Sequence, residues 1–251
     1  MKAAASPEGS IHTGNLILVN AAHPLRACPS RDALTPVGDG GVLLDRCAAA
    51  LLEKLMNDIC GWDGITAVSG WRSQEEQQAI WDGSLREHGA DFTRRYVAVP
   101  GHSEHQTGLA IDLGLKKTAV DFLRPPFPDT GLSGVFRRRA ARYGFIERYP
   151  AGGEGITGIA HEPWHFRYVG TPHAAVMAER GLTLEEYLAF LKDFPYGGQP
   201  FVYEEGQHRF EISFLAAGEA EALSRAKVSA FRMVSGNNVD GYILTNWRNG
   251  D

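Results

Sequence analysis

Two short segments of this chain carry side chains that can bind a metal ion and move a proton. The first contains His105 and Asp112, and the second contains Glu162 and His165. Two imidazoles and one carboxylate suit a borderline-soft cation such as Zn²⁺, and three protein ligands leave a fourth position for water or substrate. A second carboxylate beside such an ion can act as a general base. The four residues therefore predict a catalytic zinc site.

Secondary-structure patterns indicate how these side chains are held. A loop that runs into a buried strand, predicted at 109–113, lets His105 and Asp112 converge, and Gly108 permits a tight turn between them. Ser73 and Glu76 form a capping-box pattern that opens a helix to about His88, with Arg72 in the preceding turn. Helices are also predicted at 42–60, 133–143, 172–180 and 184–192, strands at 16–20, 65–68, 145–146 and 165–169, and a loop at 91–101.

A segment rich in Pro and Gly at 194–200 suggests a domain boundary. After it the chain changes to short β-like runs at 209–215, 227–234 and 239–245, with one or two helical turns at 219–225. We therefore predict a polar leader at 1–13, a main domain at 14–194, and a small β-rich module of unknown role at 195–251.

Composition favours an ordinary soluble protein. Of its 251 residues, 43% are hydrophobic and 22% are charged, and the formal charge of -5 gives no reason to expect nucleic acid as a partner. No stretch approaches the ~20 apolar residues of a membrane span, and the first ten residues lack the apolar core of a signal peptide, so we expect a cytoplasmic location. The Arg137–Arg139 run is interpreted as a solvated helix face, and Cys28, Cys47 and Cys60 as free, buried thiols.

The motifs resemble those of a known enzyme family. Ser-x-His-x-x-Gly-x-Ala-x-Asp at Ser103–Asp112, followed by Glu-Pro-Trp-His at Glu162–His165, is similar to the zinc D-Ala-D-Ala carboxypeptidases and dipeptidases of the VanY, VanX and VanXY type. The resemblance extends to 14–20 and 69–73 and to Gln77, and covers about 14–180. It implies an α+β fold with a central, mainly antiparallel sheet, helices outside it, and a zinc cleft on the exposed side of the sheet, as in Hedgehog-like metallopeptidases.

The resemblance also implies a role for each motif residue. One Zn²⁺ per chain is bound by His105, Asp112 and His165, and Glu162 deprotonates the metal-bound water and later protonates the leaving amine. Arg72 stabilises the oxyanion of the tetrahedral intermediate. Ser103 and Gln77 match positions near the substrate, and Trp164 shapes the pocket wall. Local backbone capping for Ser103 and Gln77, and a core position for Trp164, are the alternatives.

These roles imply hydrolysis of the D-Ala-D-Ala bond of peptidoglycan precursors, as a carboxypeptidase and possibly a dipeptidase. One alternative is an L,D- or other peptidoglycan carboxypeptidase of the same fold. Another is a non-catalytic relative that keeps zinc for stability or partner binding, as the Hedgehog signalling domain does. Glu162 and Arg72 argue against the second alternative, because a purely structural zinc site needs neither of them. A third interpretation assigns cell-wall or partner binding to the module at 195–251.

Overall fold

The computed structural model describes residues 10–116, 121–219 and 232–249. The chain forms two compact units, Val19–Thr183 and a second one that combines Met1–Leu18 with Leu184–Asp251. This division differs from the predicted boundaries at 13 and 194. The N-terminal segment joins the second unit through backbone bonds, because Leu18 N donates to Asn237 O at 3.0 Å and Gly236 N donates to Thr13 O at 2.8 Å.

The larger unit opens with a hairpin and a helix. Strands β1 (Leu34–Val37) and β2 (Val42–Asp45) pair antiparallel, and helix α1 (Arg46–Asp58) follows directly. The Asp45 carboxylate caps α1 by accepting from Cys47 N and Ala48 N. The predicted helix at 42–60 is therefore wrong in its first turn, which is strand, and its apolar stripe packs Leu52, Leu55 and Met56 into the core.

Strand β3 (Ile65–Ser69) leads into helix α2 (Gln74–Tyr96), which confirms the strand and the capping box. Ser73 Oγ accepts from Glu76 N at 3.1 Å, and Glu76 Oε2 accepts from Ser73 N at 2.7 Å. The helical path breaks at Gly89, whose φ of 80° is left-handed, and then resumes to Tyr96. The predicted helix end at His88 is therefore wrong, and the loop predicted at 91–101 is confirmed only from residue 97 onward.

The remaining elements of this unit match most of the predicted ones. They are strand β4 (Ala110–Leu115), helix α3 (Gly131–Ala140), strand β5 (Phe145–Glu147), the short helix α4 (Glu154–Thr157), strand β6 (His165–Tyr168) and helix α5 (His173–Arg180). Their antiparallel sheet has the order β3-β4-β6-β5. Phe166 faces one side of it and packs edge-to-face against Phe127 and Phe136, with ring centroids 5.6 and 4.9 Å away.

The second unit contains helix α6 (Leu184–Leu191) and a separate antiparallel sheet. Its strands are β7 (Phe201–Glu205), β8 (His208–Ala216), β9 (Arg232–Gly236) and β10 (Gly241–Asn249), in the order β7-β8-β10-β9. The β-rich module is thus confirmed, together with the α+β class. The predicted helical turns at 219–225 lie, except for residue 219, outside the described residues. Residues 16–19 are buried but do not form the predicted strand.

Several surface predictions are also tested. Cys28, Cys47 and Cys60 are free, as predicted, but they are exposed, so the prediction of buried thiols is wrong. In the run predicted to be a solvated helix face, Arg138 and Arg139 are exposed, but Arg137 is not, because its guanidinium binds Glu147 and donates to Pro163 O at 2.8 Å. Within the described ranges, no helix combines the length and the apolar character needed to cross a bilayer.

Candidate metal and catalytic site

The register of two neighbouring strands brings Asp112 and His165 together. These residues are directly paired in the ladder between β4 and β6, so their side chains project from the same face of the sheet. His165 Nδ1 lies 2.9 Å from Asp112 Oδ1. Phe166, next to His165, faces the opposite side and anchors β6 in the aromatic core. The alternation along β6 therefore separates a polar, functional face from an apolar face.

His105 reaches the same point from a short 3-10 helix at Glu104–Thr107. Gly108 follows with a left-handed φ of 74°, and a Cβ there would lie 2.8 Å from Leu34 Cδ2, so glycine fits this turn best. His105 Nε2 lies 3.1 Å from Asp112 Oδ2. On the other side of the ring, Nδ1 lies 2.7 Å from Gly70 O. Because a carbonyl oxygen only accepts, Nδ1 carries the proton and Nε2 offers its lone pair to the site.

His105, Asp112 and His165 form a buried cluster that fits a metal ion. Their ligand atoms lie within 4.8 Å of one another, and all three residues are buried. A tetrahedral zinc with bonds of about 2.0–2.2 Å needs donor atoms roughly 3.5 Å apart, which small side-chain adjustments achieve here. The donor types are also those that zinc prefers. The structure thus brings together the three residues that the sequence predicted as ligands.

The electrostatics of the cluster reflect burial and close charges. Burial, helped by the Arg72 charge, lowers the pKa of His105 to about 4 against the opposing effect of Asp112, which favours a neutral imidazole. Burial alone would lower the pKa of His165, but the hydrogen bond to Asp112 and the nearby Glu104 carboxylate raise it to about 9. Burial likewise acts to raise the pKa of Asp112, but the two histidines outweigh it and hold it well below its usual range. Asp112 is therefore an ionised carboxylate.

Glu162 lies beside the cluster without joining it. Its Oε2 is 3.9 Å from His165 Nδ1. The backbone fixes its position, because Glu162 N donates to Tyr149 O and His165 N donates to Glu162 O, both at 3.1 Å. Burial raises the pKa of this carboxyl group to about 8, with Asp112 and Glu104 adding to the rise and His165 and Arg72 opposing it. A pKa near neutrality suits a group that takes up and returns a proton.

Arg72 contacts Asp112 and is braced by Gln77. Its Nη2 is 3.4 Å from Asp112 Oδ2, and its Nη1 donates to Gln77 Oε1 at 3.2 Å. The Gln77 amide in turn donates to Ala98 O at 2.8 Å, so this side chain holds Arg72 in place. The predicted role of Gln77 in contacting substrate stays a prediction.

These residues line a small cavity of about 50 Å³. Ser103 and Trp164, both buried, also line it, as do Tyr149 and Ile159. Trp164 lines a second, larger cleft of about 790 Å³ as well, which is bounded by the prolines at 125, 126, 128, 150 and 163. The structure therefore places all eight sequence-predicted site residues around one cavity.

Glu104 is a feature of the site that sequence reasoning missed. Its fully buried carboxylate forms ion pairs with Arg148 and Arg167, both at 2.8 Å, and lies 3.6 Å from His165. Burial acts to raise the pKa of Glu104, but the two guanidinium groups outweigh it and hold the pKa well below the usual range. The motif spacing gave no sign of this cluster, because Glu104 stands at a position between Ser103 and His105 for which the motif specifies no residue type.

A buried His-Asp-His cluster with a nearby carboxylate and arginine defines a zinc-type metallopeptidase. The comparisons with known proteins agree with this class. The chain belongs to the VanY family of D-alanyl-D-alanine carboxypeptidases, whose family model matches residues 42–171.

Three relatives illustrate the similarity. The chain is 44% identical over 179 residues to the bifunctional D-Ala-D-Ala dipeptidase and carboxypeptidase VanXYC of Enterococcus gallinarum. The matched region covers 70% of this chain and 94% of that protein. The crystal structure of the vancomycin resistance D,D-dipeptidase VanXYg, in complex with a D-Ala-D-Ala phosphinate analogue, has 45% identity and a TM-score of 0.87 over 95% of both chains. A zinc complex of a VanY D,D-pentapeptidase variant has 34% identity and a TM-score of 0.57 over 69% of this chain and 98% of that one.

Proposed function

We propose that this protein is a zinc-dependent D,D-peptidase that hydrolyses the bond between the two terminal D-alanines of peptidoglycan precursors. The observation that carries the proposal is the convergence of His105, Asp112 and His165 with Glu162 and Arg72 around one cavity. The similarity to enzymes that act on D-Ala-D-Ala supports the choice of bond.

His105, Asp112 and His165 are the residues that would hold one zinc ion. His105 presents Nε2, because Gly70 O occupies its Nδ1, and Asp112 lies between the two rings with one oxygen toward each. When bound, zinc supplies a Lewis acid that polarises a carbonyl and makes water more acidic. The zinc complex of the related VanY variant supports the choice of this metal.

Glu162 serves as the proton carrier of the reaction. It takes a proton from the attacking water and later donates it to the amine of the departing D-alanine. The position of Glu162 supports this role, because its carboxylate lies near the cluster but 3.9 Å from His165 Nδ1, and it is not one of the three clustered ligands. Its pKa of about 8 is close to neutral pH, so the Glu162 carboxyl group can gain or lose a proton there at a small cost in free energy.

Arg72 stabilises negative charge on the scissile carbonyl oxygen as the tetrahedral intermediate forms. Its guanidinium lines the cavity beside Asp112, and Gln77 keeps it in position. A partly buried, pre-oriented cation such as Arg72 stabilises developing charge more strongly than a solvated one, because it needs no reorganisation during the reaction. Ser103 lines the same cavity and offers a hydroxyl to the terminal carboxylate or the peptide.

The shape of the site supports activity on both short and long substrates. The small cavity suits the terminal D-alanine, and the larger cleft beyond Trp164 gives room for the rest of a precursor peptide. Trp164 forms part of the wall of both spaces and would contact the substrate near the scissile bond. We therefore propose both carboxypeptidase and dipeptidase activity. A cytoplasmic location, where such precursors and free D-Ala-D-Ala are made, is part of the same proposal.

The test is release of D-alanine by the zinc-loaded protein from free D-Ala-D-Ala and from UDP-MurNAc-pentapeptide, measured side by side. We expect release from both, loss after chelation, and recovery when zinc is added back. Release from only one substrate would restrict the enzyme to dipeptidase or carboxypeptidase activity. No release from either by a protein with stoichiometric zinc would contradict the proposal. It would favour another peptidoglycan bond or a non-catalytic role, the two alternatives that the motifs left open.

A further inference from the structure

We infer that Glu104 is a positioning residue that determines which nitrogen of His165 faces the metal. The inference rests on the proposed zinc site and concerns a residue outside the ligand set. Glu104 precedes the ligand His105 at the start of the 3-10 helix and lies over the same face of the sheet as His165.

The two oxygens of the Glu104 carboxylate have different surroundings. Oε1 accepts from Arg148 Nε at 2.8 Å and lies 2.8 Å from Arg167 Nη1. Both arginine side chains are fully buried, as is Glu104 itself. Burying three charges is costly unless they compensate one another, and here two positive charges surround one negative charge. Such a cluster holds Glu104 in a fixed place and a fixed orientation.

The second oxygen, Oε2, faces the metal ligand. It lies 3.6 Å from His165 Nε2, and within the described parts of the chain both atoms are buried without a hydrogen-bond partner. A shift of about 0.7 Å brings them to ordinary hydrogen-bond distance. Because a carboxylate oxygen only accepts, the pair forms when Nε2 carries the proton. The lone pair of the neutral ring is then on Nδ1, the nitrogen that lies 2.9 Å from Asp112 in the ligand cluster.

The substitution Glu104→Gln tests this geometry sharply because it keeps the size of the side chain. The two arginines require the amide oxygen at the position of Oε1, which turns the amide NH₂ toward His165 Nε2. That nitrogen must then accept, and the proton moves to Nδ1, where it blocks the lone pair needed for zinc. We expect zinc affinity to fall by about 10–100-fold, the usual effect of removing a carboxylate that orients a ligating histidine.

Zinc affinity is measured by competition with a chromophoric chelator for the full-length protein and for Glu104→Gln. Circular dichroism and thermal unfolding verify that the metal-free variant is folded. Glu147→Gln is the matched control, because Glu147 also pairs with an arginine, Arg137, and with a histidine that is not in the ligand cluster, His161. We expect the control to bind zinc as the unaltered protein does. A folded Glu104→Gln variant with affinity within twofold of the unaltered protein would overturn the inference.

A second measurement needs no variant. In the zinc-loaded protein, ¹⁵N–¹H NMR of the His165 ring should show a proton on Nε2 and none on Nδ1. The reverse pattern, with zinc on Nε2, would overturn the role of Glu104 even if Glu104→Gln fails to fold. Failure of the proposed function can be distinguished from failure of this inference. An unaltered protein that binds no zinc contradicts the metal site itself. Normal zinc binding by both the unaltered protein and Glu104→Gln contradicts only the positioning role.

Discussion

Replacing Glu162 by glutamine separates proton transfer from metal binding. The change preserves the shape of the side chain, and the backbone bonds that fix residue 162, to Tyr149 O and from His165 N, do not involve the side chain. The glutamine therefore occupies the place of the carboxylate but cannot take a proton from water. Because Glu162 lies 3.9 Å from His165 Nδ1 and outside the ligand cluster, zinc affinity should change little.

The expected loss follows from the role of a general base, which contributes typically about 10²–10⁴-fold to a rate. A loss of about 10³ in kcat corresponds to about 4 kcal/mol of transition-state stabilisation. D-alanine release from D-Ala-D-Ala is measured for both proteins at saturating zinc, and zinc affinity is measured in parallel. Zinc-loaded Glu162→Gln with a kcat within tenfold of the unaltered enzyme would refute the assignment of Glu162 as proton carrier. Loss of zinc from the variant would instead show that Glu162 contributes to the metal site.

Three further substitutions test other parts of the structure. Arg72→Lys removes the planar guanidinium, and we expect kcat for D-alanine release to fall by about 10²–10³ with zinc retained; an unchanged kcat would argue against oxyanion stabilisation. Gly108→Ala places a Cβ 2.8 Å from Leu34 Cδ2 at a left-handed φ of 74°. The free energy of unfolding measured by urea denaturation should therefore fall by at least about 1–2 kcal/mol, whereas equal stability would show that the turn adapts. Burial lowers the pKa of His173 from 6.5 to about 3. Below pH 6.5 the unfolded chain therefore binds a proton that the folded chain does not, so the free energy of unfolding decreases as the pH falls. Relative to His173→Gln, the unaltered protein should lose roughly 1.5–2 kcal/mol between pH 6.5 and pH 5, and a pH-independent difference would contradict the burial effect.

The ligand set could be predicted from sequence because its residue types are rare in combination and their chemistry is specific. His105, Asp112, Glu162 and His165 converge as expected, and Arg72 lies beside them. Local signals also identified the capping box at Ser73. These features depend on short-range backbone chemistry or on donor types that zinc requires.

Features that depend on distant contacts were missed. The pairing of Glu104 with Arg148 is formed across 44 residues, and neither side chain carries a local sign of burial. Only the second strand of the hairpin, β2, lies within the helix predicted at 42–60, because its apolar residues also fit a helical spacing; the turn residues between Val37 and Val42 are the available signal of a hairpin. The predicted end of α2 at His88 is wrong because the chain resumes its helix after one left-handed residue, Gly89, and no local pattern distinguishes such a break from a helix end.

The β-bulge in β3 has a consequence for how the metal site tolerates mutation. Between Ala67 and Ser69 the pairing with β4 shifts register, and just beyond this point Gly70 O accepts from His105 Nδ1. A main-chain atom therefore fixes the first histidine, whereas the second depends, on our inference, on the side chain of Glu104. Every amino acid supplies such a carbonyl, but a Cβ at position 70 would lie 2.4 Å from Leu43 O, so the acceptor keeps its place only while this residue is glycine. The two histidines are thus exposed to different kinds of mutation: added bulk at position 70 would displace the first, and loss of one carboxylate would release the second.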